Sequence, residues 1–342
     1  MNKHSVKTTI FDAIIFSYLL LVVWTQVISP SAEPVKDVGV NALLALGFFV
    51  AGAGASLALN KKSVRTLGES IFAPAYTRVK LEERPWYKTF SGWQLLIVMI
   101  VTMAVGFDLT RFSFSELFDE YGFEGAKNLF IGLATPNFAI LPTAILNIIE
   151  TVFIAFMATL MAIPIAFVLS FFCAKNIMKH PVAFTIYTVL RTLLNVTRSI
   201  EALIWAIIFS VWVGIGPFAG MLALMIHSIA SLAKQYSEMV ESVSEGPIEG
   251  IQSTGAGWLQ TIWFAIVPQV ILPYVSFTIY RWDINVRMAT IIGLVGGGGI
   301  GTMLIKYQGQ AMWHEVGCII MVIAIVVWGM DQASAYLREA IK

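Results

Sequence analysis

Apolar residues fill this chain in long unbroken runs rather than in the alternating or one-face patterns of a water-soluble fold. Eight runs reach or exceed the roughly 17–25 residues that a helix needs to cross a bilayer. They fall near residues 10–29, 40–59, 93–110, 145–173, 182–213, 216–233, 270–295 and 314–336. The pattern predicts an all-α polytopic membrane protein of about eight transmembrane helices. The first run lacks a small-residue cleavage site and is followed by a second run, so it reads as a retained helix rather than a signal peptide. The fifth run, 182–213, is long enough to tilt or bend.

The polar connections set the orientation. Lys3 and Lys7 precede the first run, and Lys61, Lys62, Arg65, Arg78, Lys80, Arg84 and Lys88 lie in the 60–92 connection. Lys175 and Lys179 follow the fourth run, Lys234 the sixth, and Arg338 and Lys342 the eighth. With an even number of spans all of these share one side, and the opposite connections are poor in Lys and Arg, holding Lys36, Arg111, Lys127 and Lys306. Positive charge marks the cytosolic side, so both termini are expected there, in a multi-pass protein of the cytoplasmic membrane. The 111–144 connection is long and aromatic, with Phe112, Phe114, Phe118, Tyr121 and Phe123. It predicts a short amphipathic element at the outer interface, with a contact for an external partner as the alternative.

Composition agrees and narrows the function. The 342 residues are 58% apolar and 13% charged, far from a soluble domain, and a net charge of +1 leaves no footprint for nucleic acid. The two cysteines, Cys173 and Cys318, sit in or beside apolar runs and read as free buried thiols. Phosphate-binding G-x-x-x-x-G-K-[ST], zinc-type H-E-x-x-H and C-x-x-C patterns are missing, so no cofactor or metal is expected in this chain. If ATP drives the protein, another chain binds it. The Gly296–Gly301 stretch satisfies G-x-G-x-x-G by count, but it ends an apolar run instead of following a strand, so dinucleotide binding is not expected. Gly296, Gly297, Gly298 and Gly299 fit close helix approach or a flexible gate near the outer mouth.

The most informative connection is the polar loop 234–268. Gly246-Pro247 breaks the preceding helix, Pro247 suits the first position of a new one, and Gly255 suits the left-handed position that ends it. Ile248 and Ile251 against Glu249 and Gln252 make about two turns. A helix that short needs a surface to pack on. The loop therefore reads either as a docking surface or as an ordinary connection.

Glu249-Gly250-Ile251, three residues, Gly255, nine residues, then Ala265, Val267 and Pro268 resembles the EAA loop of binding-protein-dependent ABC importer permeases. The match keeps Glu249, Gly255 and Pro268 and departs at Gly250, Ile251, Ala265 and Val267. The flanks resemble more narrowly the permease subunits of phosphonate, phosphite and phosphate importers. They are Tyr280-Arg281-Trp282-Asp283-Ile284-Asn285-Val286-Arg287, Gly293-Leu294-Val295-Gly296 with Gly298-Gly299-Ile300-Gly301, and Arg198-Ser199-Ile200 with Ile204-Trp205. The Pro-Glu of that family after the Ile stands here as Glu201-Ala202. The resemblance covers about 93–342 and not 1–92. It implies a type I importer fold for a core of six helices, to which the first two apolar runs add an N-terminal helical hairpin. It also implies a second copy of the chain in a homodimer, cytosolic ABC ATPase subunits that bind ATP and Mg, and an external solute-binding protein. Pro247, Ile248, Glu249, Gly250, Ile251 and Gly255 would form the coupling helix that meets the ATPase. The chain thus divides into an N-terminal extension, 1–92, and a permease domain, 93–342.

Charges inside the apolar runs are the remaining candidates. A charge at mid-membrane costs about 2.5–3.5 kcal/mol on insertion scales and normally faces a cavity or a partner. Arg191, Arg198, Arg281 and Arg287 stand against Glu201 and Asp283. Asp283 and Arg287 are spaced to pair, as are Arg198 and Glu201, leaving Arg281 over and Arg191 to snorkel toward the interface. The surplus suits an anion, with Arg198, Arg281, Asn285 and Arg287 along its path, although structural pairing explains the same residues. His227 reads as a buried, hydrogen-bonded neutral side chain. The competing class is an ion-gradient transporter of a small anion, with Asp283 and Glu201 as carriers.

Overall fold

The computed structural model describes residues 3–25, 38–61, 64–72, 85–178 and 180–341. Of the charges used above, Lys36, Lys62, Arg78, Lys80, Arg84, Lys179 and Lys342 lie outside these residues. Every described element is helical. The chain forms two compact units, Met1–Asp119 and Glu120–Lys342. The boundary differs from the expected division at residue 92, because the third apolar helix belongs to the first unit.

The first unit contains α1 (Lys3–Val23), α2 (Val38–Lys61), the short α3 (Leu67–Phe72) and α4 (Phe90–Leu109). Its organising group is Asp12, fully buried on α1, which the sequence reading passed over. The Asp12 carboxylate accepts hydrogen bonds from Ser56 on α2, from Thr66, and from the Gly68 amide at 2.9 Å. Gln94 on α4 accepts from the Leu67 amide at 2.9 Å. The first amides of α3, which no helix can satisfy internally, are thereby capped from α1 and α4. An intramembrane carboxylate bonded on both oxygens is stable where a bare one is not. Gly52 completes the hairpin: a Cβ there would lie 2.7 Å from the Ala13 carbonyl.

The second unit runs through α5 (Glu120–Ala134), α6 (Leu141–Phe172), α7 (Pro181–Ser199), α8 (Ala202–Val213), α9 (Pro217–Glu241), α10 (Glu245–Ser253), α11 (Val267–Ile292), α12 (Gly299–Gly309) and α13 (Trp313–Ala340). α6 is its axis. Ala144, Thr151, Ala155, Ala158, Ala162 and Ala166 are buried at helical spacing along one side of it. α9 offers a matching row of Ala219, Gly220, Ala223, Ala230 and Ala233. Small residues let the backbones approach closely, which matters in a bilayer because lipid gives apolar side chains no reason to prefer protein. Larger apolar side chains such as Leu146, Phe153 and Leu160 face outward from α6.

Among the described residues seven helices are long and apolar enough to cross a membrane, and α7 with α8 make an eighth span if the bent pair is counted as one. The two helices meet at 90° across Ile200 and Glu201, which both adopt extended backbone. The break needs no proline. Carbonyls freed at the end of α7 find side-chain donors instead, Thr197 from the Trp205 indole at 3.4 Å and Ile200 from the His227 ring at 3.3 Å. His227 thus holds the expected hydrogen bond, and its partner is the break itself. With α4 in the first unit, the second unit holds four of these spans and the bent pair, and the total agrees with about eight.

The aromatic 111–144 connection is largely helical where its pattern suggested an amphipathic element. α5 docks on the start of α13, where a Cβ on Gly132 would lie 2.4 Å from the Trp313 side chain, and Asn137 donates to Glu315 at 3.0 Å. Its other side leaves Tyr121, Phe123 and Phe130 exposed. α10, at the far end of this unit, packs Ile248 against a core of Tyr236, Val240 and Ile262.

This arrangement fixes a labelling experiment. In sealed cells an impermeant maleimide should modify a Tyr121→Cys variant and leave Glu249→Cys untouched. The native thiols should stay silent, since both are buried. Modification of position 249 from outside would reverse the orientation.

Candidate functional site

Two regions carry the sequence-predicted residues, one at the polar end of the bundle and one inside it. The first is the loop between α9 and α11. α10 begins at Glu245, two residues before the expected start, so Pro247 occupies the third helical position. The shift costs nothing, because amides throughout the first turn lack intrahelical acceptors. Gly255 takes φ +81° just after the helix, as expected of the residue that ends it. Ile248 and Ile251 are half-buried, whereas Glu245, Glu249, Gly250, Gln252 and Ser253 are exposed. A groove of about 310 Å³ runs along the helix, lined by Asn176, Glu241, Glu245, Ile248, Glu249 and Trp258 among others.

The root of this loop is tied to the membrane helices. Arg191 on α7 donates to Glu241 at the end of α9 at 2.6 Å and to the Tyr187 hydroxyl at 3.0 Å. The same Glu241 carboxylate accepts the Lys175 amide at 2.9 Å. Arg191 is therefore paired and not left to snorkel; its acid lies 50 positions away in sequence, beyond any helical spacing rule. Gln269 ties the other side, accepting from the Ser244 amide at 3.1 Å and donating to the Ala265 carbonyl at 2.7 Å. Between loop and span, Ile262–Ile266 form a π-helical turn ahead of Pro268. Such turns occur where the regular ladder is interrupted, and Pro268 interrupts it by lacking an amide hydrogen.

The second region is a polar cluster inside the bundle. Asn285 on α11 is fully buried and donates to Thr159 on α6 and Ser228 on α9, both at 2.8 Å. Arg281, one turn earlier, donates through Nε to the same Ser228 hydroxyl at 3.1 Å. Thr159 is about halfway along the 32-residue α6, which puts the cluster near mid-depth. Arg281 is only 7% exposed, no ion pair reaches it among the described residues, and its Nη2 has no hydrogen-bond partner. The neighbouring charges are paired, with Arg287 bridging Asp283 at 2.8 Å and Asp331 on α13 at 2.5 Å, while Asp283 Oδ1 is left without a partner.

The structure corrects the sequence-level charge count in three places. Asp331 and Glu241, acids outside the counted segments, pair with Arg287 and Arg191, while Arg281 has no ion pair among the described residues. Arg198 and Glu201, expected to pair three apart, do not form an ion pair, because the helix breaks between them and both are exposed. Arg287 is engaged with two carboxylates instead of standing open to a solute.

The glycines at the end of α11 are tightly packed. Gly296, Gly298 and Gly299 have φ of +88°, +80° and +70°, which only glycine adopts without strain. The Gly216 amide donates to the Gly296 carbonyl at 2.9 Å, and the Thr151 hydroxyl accepts the Ile300 amide at 2.8 Å. A Cβ on Gly220 would sit 2.4 Å from the Gly297 carbonyl. This is a junction of α6, α9 and α12 built on backbone contact.

Two substitutions separate the roles of the loop glycines. A Cβ on Gly250 meets nothing within 4 Å, so Gly250→Ala should be accepted and should stabilise α10 by about 1 kcal/mol. Gly255→Val forces a β-branched residue to a positive φ, a strain of about 1–3 kcal/mol, and should abolish transport with the protein still in the membrane. Uptake assays with immunoblotting distinguish the two, and normal uptake by Gly255→Val would refute a coupling role for this turn. At the junction, Gly220→Ala should lower the melting temperature of purified protein, with overpacking typically costing about 1–3 kcal/mol. An unchanged melt would show that the junction gives way easily.

Comparison with known proteins agrees with this architecture. Residues 166–331 match the family described as binding-protein-dependent transport system inner membrane component. The phosphite transport system permease protein PtxC of Stutzerimonas stutzeri is 36% identical over 207 residues, covering 60% of this chain and 74% of that protein. The phosphate-import permease protein PhnE of Mycolicibacterium smegmatis is 30% identical over 280 residues, covering 80% of this chain; the chain spans about half of that relative, 51%. Among solved structures, the inward-facing methionine ABC transporter MetNI shares the fold, with a TM-score of 0.53 at 19% identity, over 60% of this chain and 99% of that one. Nothing in these relatives supports the expected pairing of the chain with a copy of itself, and the ion-gradient alternative is not favoured. The chain belongs to the family of binding-protein-dependent transport system inner membrane components, the multi-span permease subunits of ABC importers.

Proposed function

We propose that this chain is the permease of an ATP-driven importer for phosphonate or a related phosphorus oxyanion such as phosphite or phosphate. The observation that carries the substrate class is Arg281, a buried guanidinium with an unused donor in a chain similar to phosphite and phosphate permeases. A buried cation without an acid is costly unless something anionic visits it.

In this reading Arg281 is the anion-facing group, held in place by Ser228. Asn285 positions it by sharing that hydroxyl and tying α11 to α6. Both termini and α10 are cytosolic. Exposed Glu249 and the half-buried Ile248 and Ile251 of α10 form a ridge that enters a partner ATPase, which binds ATP and Mg itself. The Arg191–Glu241 bridge carries displacement of the loop to α7, and Gln269 carries it to α11. The partner's cycle thereby biases the helices between two arrangements. The exposed aromatics of α5 offer the external solute-binding protein a surface at the other end.

Arg281 supplies the test. Arg281→Gln keeps length and hydrogen-bonding capacity but removes the charge. It should raise the concentration for half-maximal uptake on the order of tenfold, with ATPase copurification intact. Arg281→Lys should retain part of the function, since only the planar fork is lost. Parental uptake by Arg281→Gln, or its failure to assemble, would make the residue a structural member of the bundle. Absence of any copurifying ATPase from the parent would remove the importer reading itself.

A further inference from the structure

Two atoms of the polar cluster are unanswered, and their needs are opposite. Among the described residues Arg281 Nη2 is a donor without an acceptor, and Asn285 Oδ1 is an acceptor without a donor. Both residues are buried, Arg281 at 7% exposure and Asn285 at 0%. They stand one turn apart on α11 and share one anchor, the Ser228 hydroxyl of α9. It accepts from Arg281 Nε at 3.1 Å and from Asn285 Nδ2 at 2.8 Å. Each free atom sits on the same planar group as the nitrogen that holds this anchor, two covalent bonds away, so neither lies far from Ser228.

The neighbours fix which way the amide points. The Thr159 hydroxyl donates to the Ala155 carbonyl at 2.8 Å, so toward Asn285 it can only accept. The NH2 side of the amide must face Thr159, and the oxygen is left without a donor. A buried carbonyl oxygen in that state is costly. A group that offers an acceptor and a hydroxyl on neighbouring oxygens would answer both atoms. A phosphorus oxyanion that keeps a proton is such a group: its P–O⁻ accepts from the guanidinium and its P–OH donates to the amide oxygen. Sulfate has the same shape but only acceptors, and it would set a lone pair against Oδ1.

We propose that Asn285 Oδ1 is a specificity-determining acceptor for the P–OH of a protonated phosphorus oxyanion held by Arg281, and that it thereby excludes sulfate. This rests on the reading of the protein as an oxyanion permease. A site built to bond a hydroxyl rejects the analogue that lacks one, because its own buried polar group is then left unpaired. Both atoms are closed off in the present arrangement, so the anion reaches them when the helices around Ser228 move apart.

The test measures the melting temperature of the purified full chain with inorganic phosphate, methylphosphonate and sulfate at equal ionic strength. Only the part of each shift that is lost in Arg281→Gln is counted, which removes the general stabilisation by such salts. Phosphate should bind at least about tenfold more tightly than sulfate. Methylphosphonate loses its last hydroxyl at its second ionisation, and above it should weaken about tenfold per pH unit. Inorganic phosphate keeps a hydroxyl through the same range and should hold its affinity. The titratable groups flanking the cluster are His227 on α9 and Tyr280 and Asp283 on α11, and α6 has none within a turn of Thr159. A change in their charge would move both anions together, so phosphate is the internal control. Asn285→Leu should bring phosphate and sulfate to equal affinity, whatever it does to the melt without anion. Sulfate binding as tightly as phosphate in the parent, or methylphosphonate unweakened by pH, overturns the role of Asn285 and leaves the anion site at Arg281 standing. The two atoms then belong to a bridging buried water. A phosphate preference that survives in Asn285→Leu overturns it equally, and if that variant fails to accumulate the two parent measurements decide alone. If no anion gives a shift that depends on Arg281, the oxyanion reading of the site falls and this proposal with it.

Discussion

The close approach of α6 and α9 is the constraint on which the second unit depends. Alanine and glycine on the facing sides bring the two backbones together, and only then can Asn285 reach Thr159 and Ser228 at once. Hydrogen bonds between membrane helices average only about 0.6 kcal/mol. The seam therefore places the polar groups, and the polar groups fix its register. The glycine junction extends the same logic to the end of α11, where Gly220 and Gly297 meet backbone to backbone.

Satisfaction of polar groups explains most of what lies away from the seam. Asp12 in the first unit and Glu241 in the second are acids bonded on several sides, each tying elements far apart in sequence. Against that background Arg281 is buried at 7% exposure with one donor, Nη2, unused and no ion pair among the described residues. Asp283 and Arg338 also each have one buried charged atom without a partner, but Arg281 is the most deeply buried of the described arginines.

The sequence made the spans legible because lipid imposes a single length rule on them. It also showed α10, since Pro and Gly punctuate a short helix, and it showed Asp283–Arg287, since four residues bring side chains to one face. It did not show the break at Ile200, which lacks proline and is held by Trp205 and His227 from outside the bend. Nor did it show Asp331 beside Arg287 or Glu241 beside Arg191, because those pairs depend on helix packing. The domain boundary moved for a similar reason. α4 is apolar enough to join either unit, and it is Gln94, bonded to the start of α3, that ties it to the first.

The π-helical turn at Ile262–Ile266 sets the angular phase of everything after it. A π turn holds one residue more than the α-helical ladder, and one residue in a regular helix is worth about 100° of rotation. If that surplus residue were drawn into α-helical register, α11 beyond it would be reclocked by about that angle unless the loop took up the slack. Arg281, Asn285 and Arg287 would swing together, since they share one rigid segment. The bulge lies between α10, which faces the cytosol in the proposed orientation, and the buried cluster. A change in winding there would turn a push on the loop into a rotation of the polar face, without requiring the helix to slide along its axis.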